Sequence, residues 1–211
     1  MKLTLYYAPI ACSLVPLITL NESGAPFDVH TVLLAKGQQK TPEYLKLNPK
    51  GKVPALAIDG DVLTENVAIL TYVARSHPQA GLLPPDAIGE ARALSAMTYF
   101  SNTVHPAFTH FNRPERFTSD EAGIPGVKSK GRENFHALLA EVDGLLTGKQ
   151  WLAADRFSVA DLYAMVFYGW GVRIELPVKE LKSYTALKDR VIARPAVRRI
   201  LEREKNMWLT A

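Results

Sequence analysis

The chain has 211 residues, 47% of them hydrophobic, and a formal charge of +4. That length suits one large domain or two small ones, and that composition excludes a disordered chain. No apolar run reaches the roughly 18–20 residues that span a bilayer, and a chain with 1 cysteine cannot close an internal disulfide, which fits a reducing compartment. The opening stretch Met1–Tyr7 is too short and too strand-like for a signal peptide, so a cytoplasmic protein is expected. The positive excess gathers between Lys188 and Lys205, but Glu202 and Glu204 interrupt it, which predicts a solvated helix face rather than a nucleic-acid surface. A mildly basic protein suits an anionic small ligand.

Lys2–Tyr7 reads as a strand, and Leu14–Asn21 as a helix with Ser13 as its N-cap and Gly24 past its end. Phe27–Leu34 reads as a second strand. The helix between the two strands predicts a parallel pair joined by a right-handed crossover. Pro54–Ile58 and Val62–Leu63 form a predicted hairpin around Asp59-Gly60, followed by a helix over Glu65–Ser76 with Val67, Leu70, Val73 and Ala74 on one face. The order is βαβ, then ββα. Gly81-Leu82-Leu83-Pro84-Pro85 breaks the pattern, so the division predicted is residues 1–80, a linker 81–87, and residues 88–211. Beyond the linker, Ile88–Phe111, Val127–Leu146, Val159–Val172, Lys179–Ala193 and Ala196–Lys205 all read as helices, with a loop over Asn112–Gly126. The fold class expected is an α/β N-terminal domain followed by an all-α helical domain. Ser158-Val159-Ala160-Asp161 reads as a capping box with Asp in place of Glu, flanked by Phe157 and Leu162 as a hydrophobic staple.

Cys12 stands at the first strand–helix junction, where unpaired N–H groups and the helix dipole would lower a thiol pKa. The alternative is a small buried hydrophobe. Ser13 is either a cap or a donor to a ligand thiolate, and Tyr7 is either packed or a donor of the same kind. Were the Val53-Pro54 bond cis, the Val53 backbone would face outward and pair with an extended ligand. Glu65 and Asn66 open a helix whose start favours a carboxylate, though an ordinary N-terminal turn explains both residues equally. His105 sits in a polar patch and could donate to a thiol or act as a base. His105 and His110 lack the one-turn spacing of a helical metal pair and no Cys/His cluster exists, so no metal site is expected. Most of the aromatic segment around Phe167, Tyr168 and Trp170 is expected in the core, with one or two rings lining an apolar pocket.

The whole chain resembles a cytosolic glutathione transferase, and its N-terminal pattern looks most like the bacterial beta class. The matching pieces are Tyr7-x-Pro9-x-Ala11-Cys12-Ser13-Leu14, Asn48-Pro49-Lys50-Gly51-Lys52-Val53-Pro54-Ala55-Leu56, Leu63-Thr64-Glu65-Asn66-Val67-Ala68-Ile69, Val104-His105 and Phe157-Ser158-Val159-Ala160-Asp161. The resemblance implies a thioredoxin-like N-terminal domain, a helical C-terminal domain and a homodimer. It implies a cis Val53-Pro54 bond, with Val53 pairing the cysteinyl unit of glutathione and Glu65 and Asn66 taking the γ-glutamyl group. It puts Cys12 beside the glutathione sulfur with His105 nearby, and leaves Lys36 and Lys52 for the glycine carboxylate. The electrophile cleft is expected near Ile10, Pro106, Phe108, Phe111 and Trp170. Three positions depart from the family pattern. Asn66 replaces a usual Ser, Thr98 replaces an Asn that reaches the partner subunit's glutathione, and Pro106 replaces a common Lys. The expected activity is transfer of glutathione to a small hydrophobic electrophile. The alternatives are thiol transfer or peroxide reduction through Cys12, and a non-catalytic glutathione-binding module.

Overall fold

The computed structural model describes residues 2–209. Strand β1 (Leu3–Tyr7) alternates buried and half-buried side chains, with Leu3, Leu5 and Tyr7 on the core face. Helix α1 (Leu14–Ser23) runs two residues past the predicted end and stops at Gly24, whose φ of +72° is the left-handed closure that glycine favours. Strand β2 (Asp28–Thr31) pairs parallel to β1, as the intervening helix predicts, but it is only 4 residues long. All four of its side chains are exposed, so no second buried face holds a longer ladder in place.

A short helix α2 (Pro42–Leu47) follows, with the Thr41 hydroxyl capping the Tyr44 N–H and Pro42 in its first turn. It was not predicted, because six residues give too little period to detect. Strands β3 (Ala55–Ile58) and β4 (Asp61–Thr64) form the expected antiparallel hairpin, closed by Asp59 and Gly60 with φ of +49° and +99°. Helix α3 (Asn66–Ser76) buries Ile69, Leu70, Val73 and Ala74, while Val67 is only half-buried. The sheet order is β2-β1-β3-β4, with β1 and β3 antiparallel.

The chain then becomes helical throughout its described residues. The stretch predicted as one helix is α4 (Ala87–Tyr99), a wide π turn over Phe100–Val104, and α5 (His105–Asn112). Pro106 explains the interruption: it lacks the N–H an α-helix would need there, and a wide turn absorbs the loss. Helix α6 (Ile124–Leu145) begins earlier than predicted, inside the stretch read as loop. Helix α7 (Val159–Arg173) is buried without a break from Val159 to Gly171, so it is the central helix of this half. Helices α8 (Lys182–Ile192) and α9 (Pro195–Arg203) complete it.

The capping box is present. The Asp161 carboxylate accepts from the Ser158 N–H at 2.8 Å, the Ser158 hydroxyl at 3.2 Å and the Leu152 N–H at 2.9 Å. One continuous core joins both halves, with α1 packed on α7 and α9. The linker is tied in by the Val159 N–H donating to the Leu82 carbonyl at 2.9 Å. No helix among the described residues is long and apolar enough to cross a membrane.

Candidate active site

A cavity of about 990 Å³ opens between the sheet and the helical half. Ile10, Cys12 and Val53 line it from the sheet side, and His105, Phe108 and Trp170 from the helices. The turn after β1 brings Ile10 in with φ of +61°, a conformation a β-branched residue rarely adopts. Trp170 holds it there: its indole Nε1–H donates to the Ile10 carbonyl at 2.9 Å, across 160 residues of sequence. Trp170→Phe keeps an aromatic ring at the site but deletes this bond and the pyrrole part of the indole. It is expected to cost about 1–2 kcal/mol of stability, read as a loss of about 3–6 °C in Tm. A Tm within 1 °C of the parent would show that the turn holds itself.

On the same sheet side of the cavity, the Val53-Pro54 peptide bond is cis. The preceding carbonyl, that of Lys52, accepts from the Tyr44 hydroxyl and from the Asn48 side-chain amide, each at 2.7 Å. Helix α2 therefore sets the entry to Val53. The Cys12 thiol faces the Val53 carbonyl at 3.8 Å, so the two loops meet across it. Beside them the Asn66 side-chain amide donates to the Cys12 carbonyl at 3.1 Å, and the Asn66 Oδ1 is buried without a partner among the described residues. Glu65, just before α3, has φ of +72°, a second costly non-glycine conformation at the same place.

This pair of half-domains meets in known proteins. Residues 1–75 match the family model "Glutathione S-transferase, N-terminal domain" and residues 103–195 match "Glutathione S-transferase, C-terminal domain". The chain belongs to the glutathione S-transferase family. It is 35% identical to Glutathione S-transferase GstA of Escherichia coli O157:H7 over 203 residues, covering 95% of this chain and 98% of that protein. Among solved structures it is similar to a glutathione transferase homologue from Sulfitobacter with bound glutathione, at 30% identity and a TM-score of 0.91, covering 96% of this chain and 98% of the other. A bacterial beta-class glutathione S-transferase from Sphingomonas chungbukensis gives 35% identity and a TM-score of 0.84, covering 97% and 98%.

Several residues of this transferase differ from their sequence-based expectation. Ser13 does not cap α1. Its hydroxyl accepts from the Ala8 N–H at 2.9 Å and donates to the Ala8 carbonyl at 3.2 Å, fully buried, so it has no proton free for a ligand. Tyr7 shares the core face of Leu3 and Leu5 and does not line the cavity. Burial pushes its phenol up, with the Glu204 carboxylate alongside adding to the shift. The Cys12 thiol is not lowered by the helix start. Burial of the sulfur pushes it up to about 12, outweighing the hydrogen bonds from the Asn66 amide and from the Cys12 and Ser13 N–H groups just before the helix. Cys12 still forms part of the cavity wall, as a half-buried residue.

Burial also pushes His105 down to about 4, helped by the positive charges of Lys52 and Arg116. The imidazole is therefore neutral at working pH, which favours its reading as a donor to a thiol over its reading as a base. Trp170 and Phe167 pack edge-on against it, at 5.0 and 5.9 Å between ring centres.

Glu65 and Asn66 do not line the main cavity. The Glu65 carboxylate is paired with the Lys50 ammonium at 2.6 Å, both side chains more than half exposed. Lys36 is exposed on a short 3₁₀ turn away from the cavity, while Lys40 and Lys52 line it. Lys40 lies over Gly51, where a methyl would come within 2.9 Å of Lys40 Nζ and 3.0 Å of the Gln39 carbonyl. Phe111 turns away from the cavity to Lys128 and Arg132, whose cationic groups lie 5.3 and 5.9 Å from its ring. Sequence reasoning missed Lys40, Tyr44 and the indole bond of Trp170, since none carries a local signal, and it quoted Asn48 in a motif without reading its bond to the Lys52 carbonyl. No group of three or more metal-ligating side chains occurs among the described residues.

Proposed function

We propose that the protein binds glutathione along the wall from Val53 to Cys12 and ionises its thiol for attack on an electrophile held against Ile10, Phe108 and Trp170. Val53 would pair the cysteinyl backbone, Glu65 and Asn66 the γ-glutamyl end, and Lys40 and Lys52 the glycine carboxylate. One observation carries the reading: two neutral donors, Cys12 and His105, face one cavity whose charged side chains are all cations. A thiol near 8.5 in water ionises more readily beside hydrogen-bond donors and positive charge. The sulfur then bonds to the electrophilic carbon, the leaving group departs with its electron pair, and the thiol proton passes to solvent. The cleft contributes proximity and removal of water. Attack by Cys12 itself on a disulfide would need its thiolate, which burial disfavours, so conjugation is the better-supported reaction. The reading includes the division into residues 1–80 and 88–211 and a homodimer, both supported by resemblance along the whole chain.

The test is turnover of a chlorodinitrobenzene by the wild type and Cys12→Ala, with glutathione affinity measured by calorimetry. Removing one donor to a charged sulfur is expected to lower kcat/KM about tenfold. Glutathione affinity should change less than about threefold, because backbone and charge contacts hold the peptide. Tight glutathione binding with no turnover across a panel of electrophiles would overturn the reading. So would a reducible glutathionyl adduct forming rapidly on Cys12 at neutral pH, which would point to thiol transfer.

A further inference from the structure

Five cations line the cavity: Lys40 and Lys52 on the sheet side, and Arg113, Arg116 and Arg173 on the helical side. No Asp or Glu lines it. The whole chain is nearly balanced, with 25 Lys and Arg against 21 Asp and Glu, so composition does not explain the one-sided wall. None of the five has a carboxylate partner among the described residues. The positive charges of Lys52 and Arg116 both reach His105 from opposite walls, so the two groups of cations face one space.

The three arginines are exposed, and the backbone that carries them is fixed. After α5 the chain makes a 3₁₀ turn over Pro114–Arg116, closed by the Arg116 N–H donating to the Arg113 carbonyl at 3.1 Å. Phe117, next in sequence, stacks on the His110 ring with centres 3.6 Å apart and planes 17° apart, which pins that turn to α5. Arg173 is the last residue of α7, three residues beyond Trp170 and so one turn further along the helix that carries the apolar floor.

Glutathione, bound as proposed above, presents one carboxylate to Lys40 and Lys52 and the other to the start of α3. The three guanidiniums then have no partner on the peptide. We propose that they bind the second substrate, and that this substrate is a flat apolar body carrying a carboxylate: the body on Ile10, Phe108 and Trp170, the carboxylate on Arg113, Arg116 and Arg173. Guanidinium is the group best shaped for a carboxylate, since its parallel N–H pairs match the two oxygens. An unpaired cationic wall beside an apolar floor also draws an anionic aromatic in faster and rejects cationic ones. This inference rests on the glutathione reading for the assignment of the remaining cations.

The experiment is calorimetric titration of para-nitrobenzoate and of its methyl ester into the protein saturated with S-methylglutathione, which cannot react. The acid is expected to bind at least about tenfold more tightly than the ester at low salt, and the advantage to shrink at high salt. In R113Q/R116Q/R173Q the advantage is expected to fall below about twofold. Equal binding of acid and ester by the wild type, or an advantage that survives the triple substitution, overturns the proposal. A parallel loss of S-methylglutathione affinity in the triple variant would assign the guanidiniums to the peptide and overturn it as well. Failure of the wild type to bind S-methylglutathione would instead remove the glutathione reading. The acid-to-ester ratio would still report on the arginines.

Discussion

Replacing Asp161 with Ala is expected to lower the free energy of unfolding by about 3 kcal/mol, a fall of about 10 °C in Tm for a chain of this size. The carboxylate is fully buried and accepts three hydrogen bonds, from the Leu152 N–H, the Ser158 N–H and the Ser158 hydroxyl. Alanine leaves the buried Ser158 N–H and the part-buried Leu152 N–H with nothing to accept them and removes the start signal of α7, the helix that carries Trp170 to the cavity. Asp161→Asn retains one acceptor oxygen but turns an NH₂ toward the other donor, so about half the loss is expected. The pH dependence has a definite sign. Burial pushes the Asp161 carboxyl up to about 6, from an ordinary value of 3.8, against the pull of its hydrogen bonds. A raised folded pKa adds stability below the ordinary value that is lost as pH rises through the folded one. The gap between the wild type and Asp161→Ala should therefore be about 1 kcal/mol wider at pH 5 than at pH 8. Denaturant melts at both pH values measure it. An alanine variant within 1 kcal/mol of the wild type would mean that α7 starts without its cap.

Gly169→Ala should be nearly as damaging. Gly169 lies in the middle of α7, beneath the indole of Trp208, which is 1% exposed. A methyl at Gly169 would come within 2.1 Å of Trp208 Cε2 and 2.2 Å of Cδ2, inside the ring's own volume. Neither a helix backbone nor a fully buried indole can yield that distance, so Trp208 must leave its site. Losing its burial costs about 2–3 kcal/mol. The damage should also reach the cleft, because the same C-terminal segment carries Glu204 to Tyr7 and to the backbone of Ile10. Weaker glutathione binding should accompany the lost stability. A double-mutant cycle with Trp208→Ala separates the clash from any helix effect: once the indole is gone, alanine at 169 should cost nothing further. An ordered Trp208 and an unchanged Tm in Gly169→Ala would refute the argument.

How far these features could be read beforehand differs from residue to residue. The joint span of α4 and α5 and the helices α6 to α9 follow from apolar spacing, and the capping box at Ser158 follows from four adjacent residues, because both are local. Helix α2 and the π turn escaped for the same reason in reverse. One is too short to show a period, and the other leaves the period almost intact while turning His105 relative to α4. The period of β1 could have assigned Tyr7 to the core, since it falls in step with Leu3 and Leu5.

By itself, the sequence determined the order of the elements other than α2 and the π turn, the two kinds of half and the family, because periodicity, turn residues and motif spacing are properties of neighbouring positions. It also named Cys12, Val53 and His105 as candidates that the structure brings to one cavity. Only the tertiary structure decided which groups there have a proton or a charge to offer. Ser13 loses its hydroxyl to Ala8, Cys12 is held protonated, and His105 is held neutral. Five cations from distant segments stand together without a carboxylate among them. Each of these follows from desolvation and from partners far away in the chain. Burial and long-range contact come into being when the chain folds, and no local pattern of residues encodes them.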